Sequence, residues 1–275
     1  NFEAAGTTPY HFITAAAMSK QSSNPVRELR YDDNNAGLGV RYLQELGVRY
    51  YMAFTAEAIS QANMQAALVK IAQSGPWVIY KVEASDLVVP MSVQPVIVTS
   101  KVGDPKERWL EIGTSWFQHP EDWAAVPVAN GPDSWQKVEA VVDLNRRQGE
   151  PSDSSRRVDI VKPSESVNKV ELSSVQVSNT VLEDEAISFT VDRVGVPVLV
   201  RMSYFPNWKV ENAEGPFRVA PNMMVVIPTS NNVRLHYGYS LIDYFAFFMT
   251  FLGVATMAVR WRGRQVERKR KLLSR

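Results

Sequence analysis

The chain has 275 residues, 45% of them hydrophobic, enough for a packed core and too apolar for a disordered chain. Its formal net charge of +1 conceals a split: residues 260–275 hold eight basic side chains and one acidic, and removing these from totals of 30 and 29 leaves 22 and 28, about −6, for residues 1–259. A body that acidic lacks the basic face that displaces phosphate counterions, which excludes nucleic acid as its partner, and the absence of cysteine excludes disulfides, thiolate nucleophiles and cysteine metal sites.

The chain opens "NFEAAGTTPYHF", with no initiator Met, basic n-region or apolar h-region. An extracytoplasmic body needs an export route, so the expectation is a C-terminal piece of a longer protein whose earlier transmembrane helices deliver it; a cleaved signal is the alternative. "GTTPYHF" reads as a local turn burying Tyr10 and Phe12, and its hydroxyls with Tyr10 and His11 also suit hydrogen bonds to a sugar or phosphate. In "YDDNNAG", Asp32 and Asp33 are either a carboxylate pair for a ligand or a solvated cap before the next helix.

That helix is signalled by Leu38, Val40, Tyr42, Leu43 and Leu46, at helical spacing and stopped by Gly47. "VRYYMAF" reads as a buried strand, and "TAEAISQANMQAAL" as a helix with Thr55 as N-cap. "LVKIAQSGPWVIYKV" reads as two strands about Ser74-Gly75-Pro76, the second alternating around Trp77, Ile79 and Val82. Residues 1–87 thus form a small α/β unit.

Residues 88–157 read as a Trp/Pro-rich connecting region and linker. Trp109, Trp116 and Trp123 recur every seven residues, but Gly113 and Pro120 argue against one continuous helix. Loops anchored by buried indoles are expected, with the same three tryptophans also offering stacking faces to a saccharide. "NRRQGEPSDSSRR" is polar and turn-rich, as a linker is. From residue 158 to 239, "RVDIVKP", "KVELSSVQVS", "AISFTVDR", "PVLVRMSYF", "WKVENA", "FRVAP", "MMVVIP" and "NVRLHYGY" predict short strands and a β-sandwich. The fold class is α+β: a small α/β unit, a β-sandwich and one C-terminal transmembrane helix.

Residues 240–259 carry a single charge, Asp243, and at ~1.5 Å per residue they span about 30 Å, the thickness of a bilayer's hydrocarbon core. Tyr239, Tyr244 and Trp261 stand where aromatic rings favour the interfaces, and Asp243 is either a functional intramembrane carboxylate or a headgroup-level residue that complements the helix N-terminus. The positive-inside rule keeps the basic tail in the cytoplasm, so the body is extracytoplasmic at the cell membrane, with the lipid bilayer a partner.

Chemistry is sparse. His11, His119 and His236 have no partners at metal-ligand spacing, so neither metal nor cofactor is expected, and no nucleophile elbow, phosphate loop or GxGxxG occurs. Nothing in this chain reads as a catalytic motif.

The order "TTPYHF", "NPVRELRYDD", "LGVRYYMAF", "SGPWVIYKV" and "SYFPNWKV" before a last apolar helix resembles the C-terminal part of bacterial, actinobacterial polytopic membrane proteins of the YfhO-like kind, similar to GT-C glycosyltransferases. The resemblance covers most of the chain through loosely specific motifs. It implies cell-envelope glycan synthesis, a polyprenyl-phosphate sugar donor, and upstream transmembrane helices of the same protein as partners. No catalytic residue carries over, because in such families the catalytic acid lies in an early extracytoplasmic loop outside these motifs. The chain would then recognise an acceptor or envelope glycan without catalysing alone. A single-span, membrane-anchored envelope binding or assembly protein is the competing reading.

Overall fold

The computed structural model describes residues 8–19, 31, 34–99, 105–145 and 159–273. Asp32, Asp33 and residues 146–158 lie outside the described residues.

The N-terminal part builds a small antiparallel sheet backed by helices. Helix α1 (Thr8–Met18) occupies "TPYHF", where a turn was expected. Helix α2 (Ala36–Glu45) starts at Asn35, whose Oδ1 accepts from the Leu38 amide at 3.2 Å, and Gly47 follows it at φ +67°, a conformation side chains with a Cβ disfavour. Strand β1 (Tyr50–Ala53) leads to Thr55, whose hydroxyl accepts from Ala58 N at 3.2 Å and caps helix α3 (Ala56–Asn63). Strands β2 (Leu68–Ser74) and β3 (Trp77–Val82) form the expected hairpin, with Gly75 at φ +55°. The sheet order is β1-β3-β2, and Ala53, Leu68, Val78, Tyr80 and Val82 pack on Met18, Val40, Leu43, Ala58 and Ala62.

Two expectations about this sheet are corrected. In β3 the inward residues are Val78, Tyr80 and Val82, so Trp77 points outward. Strand β1 is an edge, not a buried strand, and Tyr50 and Met52 are each 53% exposed.

The remainder of the body is a sandwich larger than its C-terminal strands. In chain order come β4 (Val88–Pro90), β5 (Val96–Thr99), helix α4 (Pro105–Gln118), a 3₁₀ turn (Pro120–Asp122), β6 (Pro127–Val128), β7 (Lys137–Val142) and β8 (Val161–Pro163). There follow β9 (Val177–Leu182), β10 (Ala186–Val191), β11 (Val198–Val200), β12 (Trp208–Glu211), β13 (Ala213–Val219), β14 (Met223–Pro228) and β15 (Asn232–Tyr237). One sheet has four strands, β12-β15-β10-β9, and the other eight, β4-β11-β14-β13-β6-β5-β7-β8. Ile187, Phe189, Val233 and Leu235 of the first pack on Val198, Val200, Met224 and Val226 of the second, the inter-sheet core of a sandwich.

The Trp/Pro-rich stretch supplies β4 to β7 of the eight-stranded sheet, with β5 parallel to both β6 and β7. It also supplies α4, a helix where loops were expected. Gly113 does not break it because the glycine is required: a Cβ there would meet Tyr10 Oη and lie 2.9 Å from Pro221 O. The segment "KVELSSVQVS" becomes strand only from Val177; before that, Glu171 makes a single bridge to Val93.

Residues 237–275 form a separate unit. Its helix α5 (Leu241–Leu273) contains the span Leu241–Gly263, of mean hydropathy 1.7 and with none of it buried, long and apolar enough to cross a membrane. Asp243 Oδ2 accepts from Ser240 N at 2.7 Å and Ser240 Oγ at 2.6 Å, closing the first turn as the carboxylate's position predicts.

Candidate functional site

The outward face of the small sheet carries a group of exposed aromatic rings. Alternation along β1 turns Tyr50 and Met52 to solvent, and Phe54 follows in the same phase at 56% exposure. Antiparallel pairing sets Ala53 opposite Val78, which brings Phe54 beside Trp77, their ring centroids 4.8 Å apart. Trp77 is 42% exposed. Large side chains left open together on one sheet face mark a recognition surface more often than isolated exposed residues do.

Along β1 the same surface runs into a cavity of about 590 Å³ shared with α1. That volume falls among small-ligand sites, which are commonly about 300–1,000 Å³. His11 and Thr14 from α1, Ser19 just after it, and Thr55 and Glu57 from the α3 entry supply hydrogen-bonding groups, while Met18, Tyr51 and Phe54 supply apolar wall. Rings bordered by hydroxyls, an imidazole and a carboxylate are chemically suited to a ligand with apolar faces and hydrogen-bonding edges.

Among the described residues no three His, Asp or Glu side chains gather as metal ligands do. No protein-family model, no curated protein and no solved structure matches the chain.

The structure brings only part of the expected site together. His11 is exposed and lines the cavity, whereas Tyr10, its neighbour on α1, is 1% exposed and packs on Phe117 with centroids 5.4 Å apart. Burial pushes the Tyr10 phenol well above its usual range. Trp109 and Trp123 are each 4% exposed and Trp116 is half-buried, all three packing with the core between α4 and the large sheet. Trp109 Nε1 donates to Pro221 O at 3.0 Å and the Arg218 guanidinium lies over its ring at 4.9 Å, so this buried indole presents no open stacking face. Asp32 and Asp33 lie outside the described residues.

Tyr50, Phe54 and Trp77 escaped the sequence reading because a strand's alternation identifies two faces without saying which one is covered. The available signal was Lys81, which shares a β3 face with Trp77 and stays charged only if that face meets water.

Proposed function

We propose that this chain is the extracytoplasmic, membrane-tethered part of a glycosyltransferase-like cell-envelope protein, in which it recognises glycan and does not catalyse alone. The observation that carries the tether is α5, a 23-residue apolar span with none of its surface covered, running into the basic residues 260–275. The positive-inside rule then sets the body outside and the tail in the cytoplasm. The glycosyltransferase-like assignment rests on the order of the sequence motifs, and the recognition role on the open rings of Tyr50, Phe54 and Trp77 beside the α1–β1 cavity. The cavity's polar groups bind and orient a sugar.

The experiment is glycan binding by the full chain in detergent, read on an array of bacterial envelope glycans. Trp77→Ala should weaken binding by about tenfold, the loss of one ring contact, while shifting stability by no more than about 0.5 kcal/mol. Trp109→Ala should instead cost about 3–5 kcal/mol of stability, because it empties a core position. Glycan binding that survives Trp77→Ala and Phe54→Ala unchanged would overturn the recognition role. The described apolar helix equally suits a single-span envelope binding or assembly protein. Counting hydrophobic spans encoded in frame upstream of Asn1 separates the two: many spans favour the transferase-like protein, a lone signal peptide the single-span one.

A further inference from the structure

Beside Trp109 of α4, the described residues hold a cation without an anion. Arg218 leaves β13 with its guanidinium 4.9 Å from the centre of the Trp109 ring and 5.9 Å from that of Tyr204. Its Nε donates to Asn222 Oδ1 at 2.7 Å, which fixes the plane of the group. Among the described residues no carboxylate pairs with it. The other charge-bearing partners that bear on its ionisation are the phenols of Tyr10 and Tyr204, while loss of solvent is the larger influence and lowers its affinity for the proton.

Two further polar groups stand in the same neighbourhood, buried and unpartnered. Asn222 is 1% exposed and its Nδ2 donates to nothing, because Oδ1 is turned toward Arg218. Tyr10 is equally buried and its hydroxyl has no partner. The geometry at Gly113 ties these groups together: a Cβ there would touch both Tyr10 Oη and the carbonyl of Pro221, the residue before Asn222 and the acceptor of the Trp109 indole. Three parts of the chain therefore converge here, α1 through Tyr10, α4 through Trp109, and β13 with the turn after it through Arg218 and Asn222.

A partly buried guanidinium with no counter-charge among the described residues and two buried, unpartnered donors are each costly by themselves, and their costs share one remedy. An oxyanion supplies negative charge and several acceptor lone pairs at once. A guanidinium flanked by rings can still offer in-plane Nη hydrogens to the two-pronged contact that carboxylates and phosphates accept. We propose that Arg218, with Asn222 Nδ2 and Tyr10 Oη behind it, forms an oxyanion-binding subsite for a phosphate or carboxylate group. The site is distinct from the exposed aromatic face and does not depend on the glycosyltransferase-like reading.

The test uses the full chain in nanodiscs of neutral lipid, titrated calorimetrically with inorganic phosphate and separately with acetate, at constant ionic strength. The expected result is saturable binding of at least one anion, weakened tenfold or more by Arg218→Gln and unchanged by Arg234→Gln, an exposed arginine on β15. Tyr10→Phe guards against an Arg218 variant that misfolds. Removing an orphaned hydroxyl should raise the melting temperature without ligand and shrink the rise that the anion produces. Discs containing anionic phospholipid identify the source: if a headgroup fills the site, added phosphate no longer binds, and if a free anion fills it, binding persists. Failure of both anions to bind in neutral discs, with no stabilisation by anionic lipid, overturns the proposal. So does binding that Arg218→Gln and Tyr10→Phe leave unaltered.

Discussion

Trp77 and Trp109 show how one residue type serves opposite ends. Trp109 is sealed by α4 packing and holds the Pro221 carbonyl, whereas Trp77 stands open beside Phe54. Spacing made the three tryptophans of the 109–123 stretch conspicuous, but regular spacing signals a packed face more readily than a binding one, and the open indole was the one outside the series. Glu45 is a residue whose behaviour follows from its surroundings alone. Its side chain is a quarter exposed and its Oε1 takes Arg41 Nε at 2.9 Å, yet Oε2 is sealed from solvent without a partner. Burial raises its pKa above the ordinary 4.5, against the opposing pull of Arg41 and Arg201. A carboxylate whose folded pKa lies above its unfolded one favours the folded state below the unfolded pKa and loses that contribution as pH rises through the folded value. Melting temperature measured in detergent should therefore fall as pH rises from about 4.5 through that higher value. Glu45→Gln should flatten that part of the profile. A Glu45→Gln profile parallel to the parent's would show that another group is responsible.

At the scale of the element, the legible features were those written locally. Thr55 as N-cap, the Gly75 hairpin and the Gly47 stop each depend on a few neighbouring residues, and each is in place. Thr55→Ala should cost about 1 kcal/mol, a few degrees of melting temperature, while Thr55→Ser should retain most of that stability. Equal losses in both variants would assign the effect to the threonine methyl. What could not be read was set by distant chain. Gly113 looked like a helix breaker because its reason for being glycine, the approach of Tyr10 and Pro221, comes from about a hundred residues away on either side. The phase of β3 failed likewise, since only the arrival of α2 and α3 decides which side of the sheet is dry.

The whole molecule was legible at its C-terminal end and mixed in its middle. Twenty apolar positions with one charge predict a membrane-spanning helix without help from tertiary structure, and the strand-dense segment after residue 158 predicts a sandwich. That residues 88–145 complete one of its sheets was not legible, because pairing such as Val89 with Leu199 leaves no local mark. Orientation across the bilayer can be measured cleanly in a chain with no cysteine of its own. A membrane-impermeant maleimide on intact cells should label Ser230→Cys, in the exposed turn after β14, and should label Ser274→Cys only after permeabilisation. The reverse pattern would place the body in the cytoplasm. The pairing of β4 with β11 also sets a clock. At about 5–20 residues per second, the earlier strand leaves the ribosome on the order of ten seconds before its partner. β5 can pair with β6 and β7 at once, but until β11 and β13 are made β4 has no partner and β6 has one open edge, so the newborn chain waits with strand edges open. During that interval of synthesis the chain presents its unpaired strands to chaperones and proteases.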